Sequence, residues 1–176
     1  MCLYVCDSQN QYMPAPKDVV FSEARRLGKQ VLACETFVNN SDSAKEAIGA
    51  QFRGLENEAI GCLFLNAQLQ VLGWEILFSG TVDAATLYPR PLIKKVLEYN
   101  AVRIILAHNH PSGASYSSQQ DKTLTGVVMQ SLDPIGVEVM DHLIIGDHVF
   151  SMADSGEISL IRDRIKKIKY NHNNYM

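Results

Sequence analysis

A chain of 176 residues, 47% hydrophobic and 20% charged, is long enough to bury one sizeable core and reads as one compact domain with short appendages. The formal net charge of −3 argues against a broad basic face for nucleic acid, and no apolar run reaches the length of a membrane span. Cys2, Cys6, Cys34 and Cys62 form neither a Cys-x-x-Cys pair nor a disulfide framework, and Met1 to Cys6 lacks the pattern of a secretory leader, so a reducing cytoplasm is the expected setting.

In chain order, Asp18 to Ala33 carries an apolar stripe of Val19, Val20, Ala24, Leu27, Val31 and Leu32 and is predicted helical. Ser43-Ala44-Lys45-Glu46 fits a capping box for a second helix ending near Gly54. Two strands follow, Ala59 to Leu65 and Leu69 to Phe78, joined by a turn at Asn66-Ala67-Gln68. Pro89 and Pro91 sit where a helix start tolerates proline, ahead of Leu92 to Tyr99. Val102 to Ala107 is short, apolar and β-branched, a buried strand ending at His108. A helix from Asp121 to Leu132, a strand from Val137 to Ile145 and another around Val149-Phe150-Ser151 complete an alternation of α and β around one sheet. The segment from Leu160 to Met176 holds Arg162, Arg164, Lys166, Lys167 and Lys169 against Asp163, a net of +4, so the rest of the chain carries −7. With Ile161, Ile165 and Ile168 between the basic residues, it reads as a terminal helix packed by its isoleucines; contact with nucleic acid is the lesser reading.

The chemistry concentrates in His108-Asn109-His110-Pro111-Ser112-Gly113, followed by Ser118 and Asp121. Side chains alternate along a strand, so an extended backbone through His108 sends His108 and His110 to the same side, where two imidazoles share one metal. Pro111 and Gly113 end the strand and open a loop. Asp121 then falls in the first turn of the next helix, where the helix dipole favours a carboxylate that turns back as third ligand. Ser118-x-x-Asp121 equally fits a helix capping box with no functional role, and both readings stand together. Three protein ligands on zinc leave a fourth position for water, whose pKa the metal brings from nearly 16 to roughly 7. His142 and His148, taken as core histidines, have no clear ligand spacing; His142, beside Asp141 on a predicted strand, is either a partner of the ligands or a packing residue.

His108, His110, Pro111, Ser118 and Asp121 together match the second half of the JAMM (MPN/JAB1) metallopeptidase signature, His-x-His-Pro followed by Ser-x-x-Asp. The longer strings Ile104 to Gly113 and Asp141 to Gly146 resemble more narrowly the bacterial RadC-like JAB domain, historically labelled DNA repair. The resemblance spans roughly Glu56 to Ile158. It implies a mixed α+β (α/β) fold, a single JAB/MPN domain with a deaminase-like mixed sheet flanked by helices; the chain is expected to divide into a helical extension over 1–55, this domain over 56–158 and a basic tail over 159–176. It also implies one Zn²⁺ held by His108, His110 and Asp121. Upstream it implies a catalytic glutamate, placed by register at Glu58 with Glu56 as the fallback two residues away on the same face. In that pattern Glu58 shuttles the proton of a metal-bound water to the leaving amine, and Ser118 donates to the developing oxyanion.

Two departures are local: Ser117 stands where the family usually has proline, and Pro91 where an acid is common. Residues 1–57 also lack the Gly-x-Gly of the helix-hairpin-helix region that precedes this domain in full-length RadC-like proteins, so the expectation is a stand-alone JAB domain of the kind carried on mobile elements. The leading expectation is a zinc metallopeptidase acting on an unknown peptide or isopeptide bond. The alternatives are a nucleic-acid-associated hydrolase or repair factor, which would more comfortably use two metals, and a metal-bearing interaction module without catalysis. A cytidine deaminase would need His-x-Glu and Pro-Cys-x-x-Cys, and neither is present.

Overall fold

A computed structural model describes residues 3–6, 9–34, 41–80 and 89–173. A short hairpin, β1 (Tyr4–Cys6) and β2 (Tyr12–Pro14), precedes α1 (Lys17–Cys34) and α2 (Ser41–Phe52). There follow β3 (Ala59–Leu65), β4 (Val71–Ser79), α3 (Pro89–Glu98), β5 (Arg103–Asn109), α4 (Gln119–Leu132), a 3₁₀ turn at Asp133–Ile135, β6 (Glu138–Ile145), β7 (Val149–Ser151) and α5 (Glu157–Asn173). Among the described residues, no helix is long and apolar enough to cross a membrane.

One mixed sheet runs β4-β3-β5-β6-β7, with β5 and β6 parallel and the other neighbours antiparallel. Helices cover both faces, which explains why β3 is buried along its whole length. Its alternate residues divide between two cores. Ile60, Cys62 and Phe64 join Leu106, Val128 and Ile161 under α3, α4 and α5, whereas Ala59, Leu63 and Leu65 join Ile48, Phe52 and Ala107 under α1 and α2. The fold is the mixed α+β single domain that the resemblance implies.

The register of β5 against β6 breaks once. Ile104 pairs with Val139 but Ile105 with Asp141, so Met140 is an extra residue in β6. Such a bulge reverses which face each later residue takes. It turns His142 to the α4 face, opposite Leu106.

Three local expectations are corrected. α2 begins at Ser41, so Ser43 lies inside the helix and is not its cap. In α5 the packed isoleucines are Ile158, Ile161 and Ile165; Ile168 is 52% exposed because the helix outruns the core there. His148 is exposed in the turn between β6 and β7 and belongs to no core.

Candidate metal centre

β3 and β5 are antiparallel with Ile60 opposite His108, so the entrance to β3 lies beside the exit of β5. Glu58, just ahead of β3, thereby lines the same cavity as the two histidines. The amide of Asn109 fixes this junction: its Oδ1 accepts from Ala59 N–H at 2.7 Å and its Nδ2 donates to the Asn57 carbonyl at 3.1 Å. The residue between the histidines thus grips the backbone on either side of Glu58.

His108 is 5% exposed and faces α4. His110 keeps to the same side because its N–H donates to the Ile145 carbonyl at 2.9 Å, carrying the β5–β6 pairing just past the end of β5. The following loop folds back over the end of β6. Gly113 has φ +84°, in the left-handed region, and a Cβ on Gly146 would lie 2.4 Å from the carbonyl oxygens of Gly113 and Ala114. That approach sets the Ala114 carbonyl 3.0 Å from His110 Nδ1. A carbonyl only accepts, so Nδ1 carries the proton and Nε2 presents its lone pair.

Ser118 caps α4 from an extended conformation (φ −78°, ψ 170°). Its Oγ accepts from Asp121 N–H at 3.1 Å, and Asp121 Oδ2 accepts from Ser118 N–H at 2.6 Å. The capping box leaves Asp121 Oδ1 3.2 Å from His108 Nε2, with Oδ2 3.6 Å from His110 Nε2, so capping and convergence on the histidines coexist. Burial pushes the Asp121 carboxyl up, but the hydrogen bond and charge of His108 and the hydrogen bonds of Ser118 outweigh it and hold the group well below the usual carboxylate range.

His108 Nε2 and His110 Nε2 stand 2.9 Å apart, with Asp121 Oδ1 3.2 Å from the first and Asp121 Oδ2 3.6 Å from the second, and one ligand atom from each residue lies within 4.8 Å of the other two. Ligands at roughly 2.0–2.1 Å from a tetrahedral ion stand about 3.3 Å from one another, so two imidazoles and a carboxylate fit one small divalent cation. Glu58, His108, His110, Ser118 and Asp121 line one cavity of about 310 Å³. Glu58 is half-buried there, and Glu56 is exposed.

Two further residues stand behind His108. His142, fully buried, places Nε2 2.9 Å from His108 Nδ1, and Thr125 Oγ1 lies 2.7 Å from His142 Nδ1. Burial, then the nearby His108, pushes His142 well below the ordinary histidine value, so it is neutral. Spacing gave no sign of either, because the bulge at Met140 decides the face of His142.

A family model for the RadC-like JAB domain matches residues 38–157. A protein of Alcanivorax borkumensis named UPF0758 protein is 43% identical over 122 residues, 69% of this chain and 54% of that protein. A Pseudomonas fluorescens protein of the same name is 38% identical over 143 residues, 81% of this chain and 64% of that protein. The chain thus spans between about half and two thirds of the length of these relatives. With the ligand geometry, the family match and these identities in agreement, the chain belongs to the RadC-like JAB domain family.

Proposed function

We propose that this chain is a zinc-dependent hydrolase of peptide or isopeptide bonds, acting in the cytoplasm on a peptide or protein substrate. The observation that carries this reading is the meeting of Glu58 with His108, His110 and Asp121 at one cavity. A zinc ion held by those three residues supplies a water acidic enough to ionise near neutral pH and a positive charge for the carbonyl oxygen. The Glu58 carboxylate takes the proton of the attacking water and returns it to the leaving amine. Ser118 Oγ is fixed by the Asp121 N–H, so its O–H is the remaining donor, shared between the Asp121 carboxylate and an oxygen entering the cavity. One such donor is worth about 3–4 kcal/mol of barrier. Asn109 keeps Glu58 in place relative to the ligands through Asn57 and Ala59.

The test is elemental mass spectrometry of the full chain purified without added metal, alongside hydrolysis of a mixed peptide and isopeptide library. One zinc per chain in the wild type and in Glu58→Gln, loss of zinc in His110→Ala, and cleavage by the wild type alone are expected. Absence of metal from all three after zinc is offered would overturn the proposal, as would Glu58→Gln cleaving as fast as wild type.

A further inference from the structure

We propose that Thr125 and His142 are positioning residues that hold a proton on His108 Nδ1, so that the lone pair of His108 Nε2 is kept for the metal. The inference rests on the metal-centre reading above and deepens it, since nothing in the ligand spacing says which nitrogen of His108 is free.

The direction of each hydrogen bond follows from the fixed end of the chain. Thr125 Oγ1 lies 2.7 Å from the main-chain oxygen of Asp121, one turn earlier on α4, and 2.7 Å from His142 Nδ1. The hydroxyl has one proton, and a carbonyl oxygen can only accept, so Thr125 donates to Asp121 and must accept from His142. Nδ1 of His142 therefore carries a hydrogen. The ring of His142 is fully buried, with the Thr125 hydroxyl and His108 as its hydrogen-bond partners and no carboxylate among the described residues paired to it. An unpaired buried charge is costly, so the ring is neutral with one N–H, and His142 Nε2 is bare and can only accept. Its neighbour at 2.9 Å is His108 Nδ1, which must donate. Reversing the chain would bring the Thr125 hydroxyl oxygen and the Asp121 carbonyl oxygen together at 2.7 Å with no proton between them. Thr125 and His142 are both 0% exposed, so neither can turn to bulk water instead. The nearby Met152 sulfur, 3.8 Å from Thr125 Oγ1, is a weak acceptor that does not compete with the carbonyl.

The arrangement parallels that of His110, whose Nδ1 proton is fixed by the Ala114 carbonyl. His110 is set by a loop, His108 by a buried relay anchored on the helix that also presents Asp121. Partners of this kind orient a ligand and raise its basicity, and removing them typically lowers metal affinity about 10- to 100-fold.

The test uses the full chain labelled with ¹⁵N, metal-free and zinc-loaded, with spectra that correlate imidazole protons and nitrogens across a hydrogen bond. The expected result in both forms is a proton bonded to His108 Nδ1 and coupled to a bare His142 Nε2. A proton bonded to His142 Nε2 would overturn the proposal. In parallel, zinc affinity is measured by competition with a chromophoric chelator. Thr125→Val keeps the shape and removes the hydroxyl, and its affinity should fall about 10- to 100-fold, whereas Thr125→Ser should stay within about threefold of wild type. Wild-type affinity in Thr125→Val, or an equal loss in Thr125→Ser, would also overturn it. A zinc-loaded wild type that cleaves no peptide would remove the hydrolase reading and leave both readouts as stated.

Discussion

Replacing Asn109 should uncouple the entrance of β3 from the exit of β5. Ala59 is 0% exposed, and its N–H donates to Asn109 Oδ1 at 2.7 Å. In Asn109→Leu, which keeps the heavy-atom count and branching of the side chain, that N–H is stranded away from water at a cost of about 1–3 kcal/mol. The second bond, to the Asn57 carbonyl, contributes only about 1 kcal/mol because Asn57 is exposed and its oxygen can turn to solvent. The expected loss is therefore about 2–4 kcal/mol, and Asn109→Ala should lose slightly more through the void it leaves. Guanidinium unfolding of chelator-treated protein measures this as a lower midpoint at unchanged slope. Hydrolysis should fall further than zinc affinity, because Glu58 loosens while the ligand atoms stay. If Asn109→Leu were to unfold within about 0.5 kcal/mol of wild type, the stranded N–H argument would be wrong, and a deficit confined to Asn109→Ala would point to the void alone.

Further predictions concern the surrounding shell. A Cβ in Gly146→Ala meets two carbonyl oxygens at 2.4 Å, so the loop should lift and free His110 Nδ1, with zinc affinity, read by chelator competition, falling while the fold, read by circular dichroism, persists. Ser118→Ala removes the cap of α4 and should cost about 0.5–2 kcal/mol in chemical unfolding together with a slower hydrolytic step. The pKa of His142 is depressed in the folded state, so below about pH 6.5 the unfolded chain binds a proton that the folded chain does not. Metal-free stability is thus complete above that pH and falls on acidification by up to about 1.4 kcal/mol per unit for this group. Unfolding of His142→Gln between about pH 6.5 and 5 should show a shallower slope, and an unchanged slope would count against a buried neutral imidazole. Asp121, also depressed, acts lower: its contribution is present above about pH 4 and lost as pH falls further.

What could be read in advance was governed by local rules. β3 and β7 coincide with the expected strands because each is an apolar run bounded by turn residues. The projection of His108 and His110 to one side and the Ser118–Asp121 box follow from strand and helix periodicity alone. The hairpin β1–β2 escaped because its strands have three residues each, too few to show alternation. α5 was legible as a helix but not in how far the core supports it, so Ile168 was assigned to a stripe that stops at Ile165. Asn109 carried a usable signal, a polar residue at an inward-facing strand position, which the histidines on either side obscured. His142 could be read only as a partner of the ligands or a packing residue, since its face depends on a pairing slip between two strands, and the structure makes it the partner.

That slip has a consequence for anyone redesigning this domain. Idealising the β5–β6 pair by drawing Met140 into a one-to-one register would give an unbroken ladder and a more regular sheet. The same edit would leave either the Glu138–Val139 end or the His142–Ile145 end on the wrong side. An algorithm rewarding backbone regularity that paired Ile105 with Met140 would then drive an imidazole into the aliphatic layer beneath α1 and α2, away from His108. The irregularity is the part of the scaffold that a transplanted centre would have to carry with it.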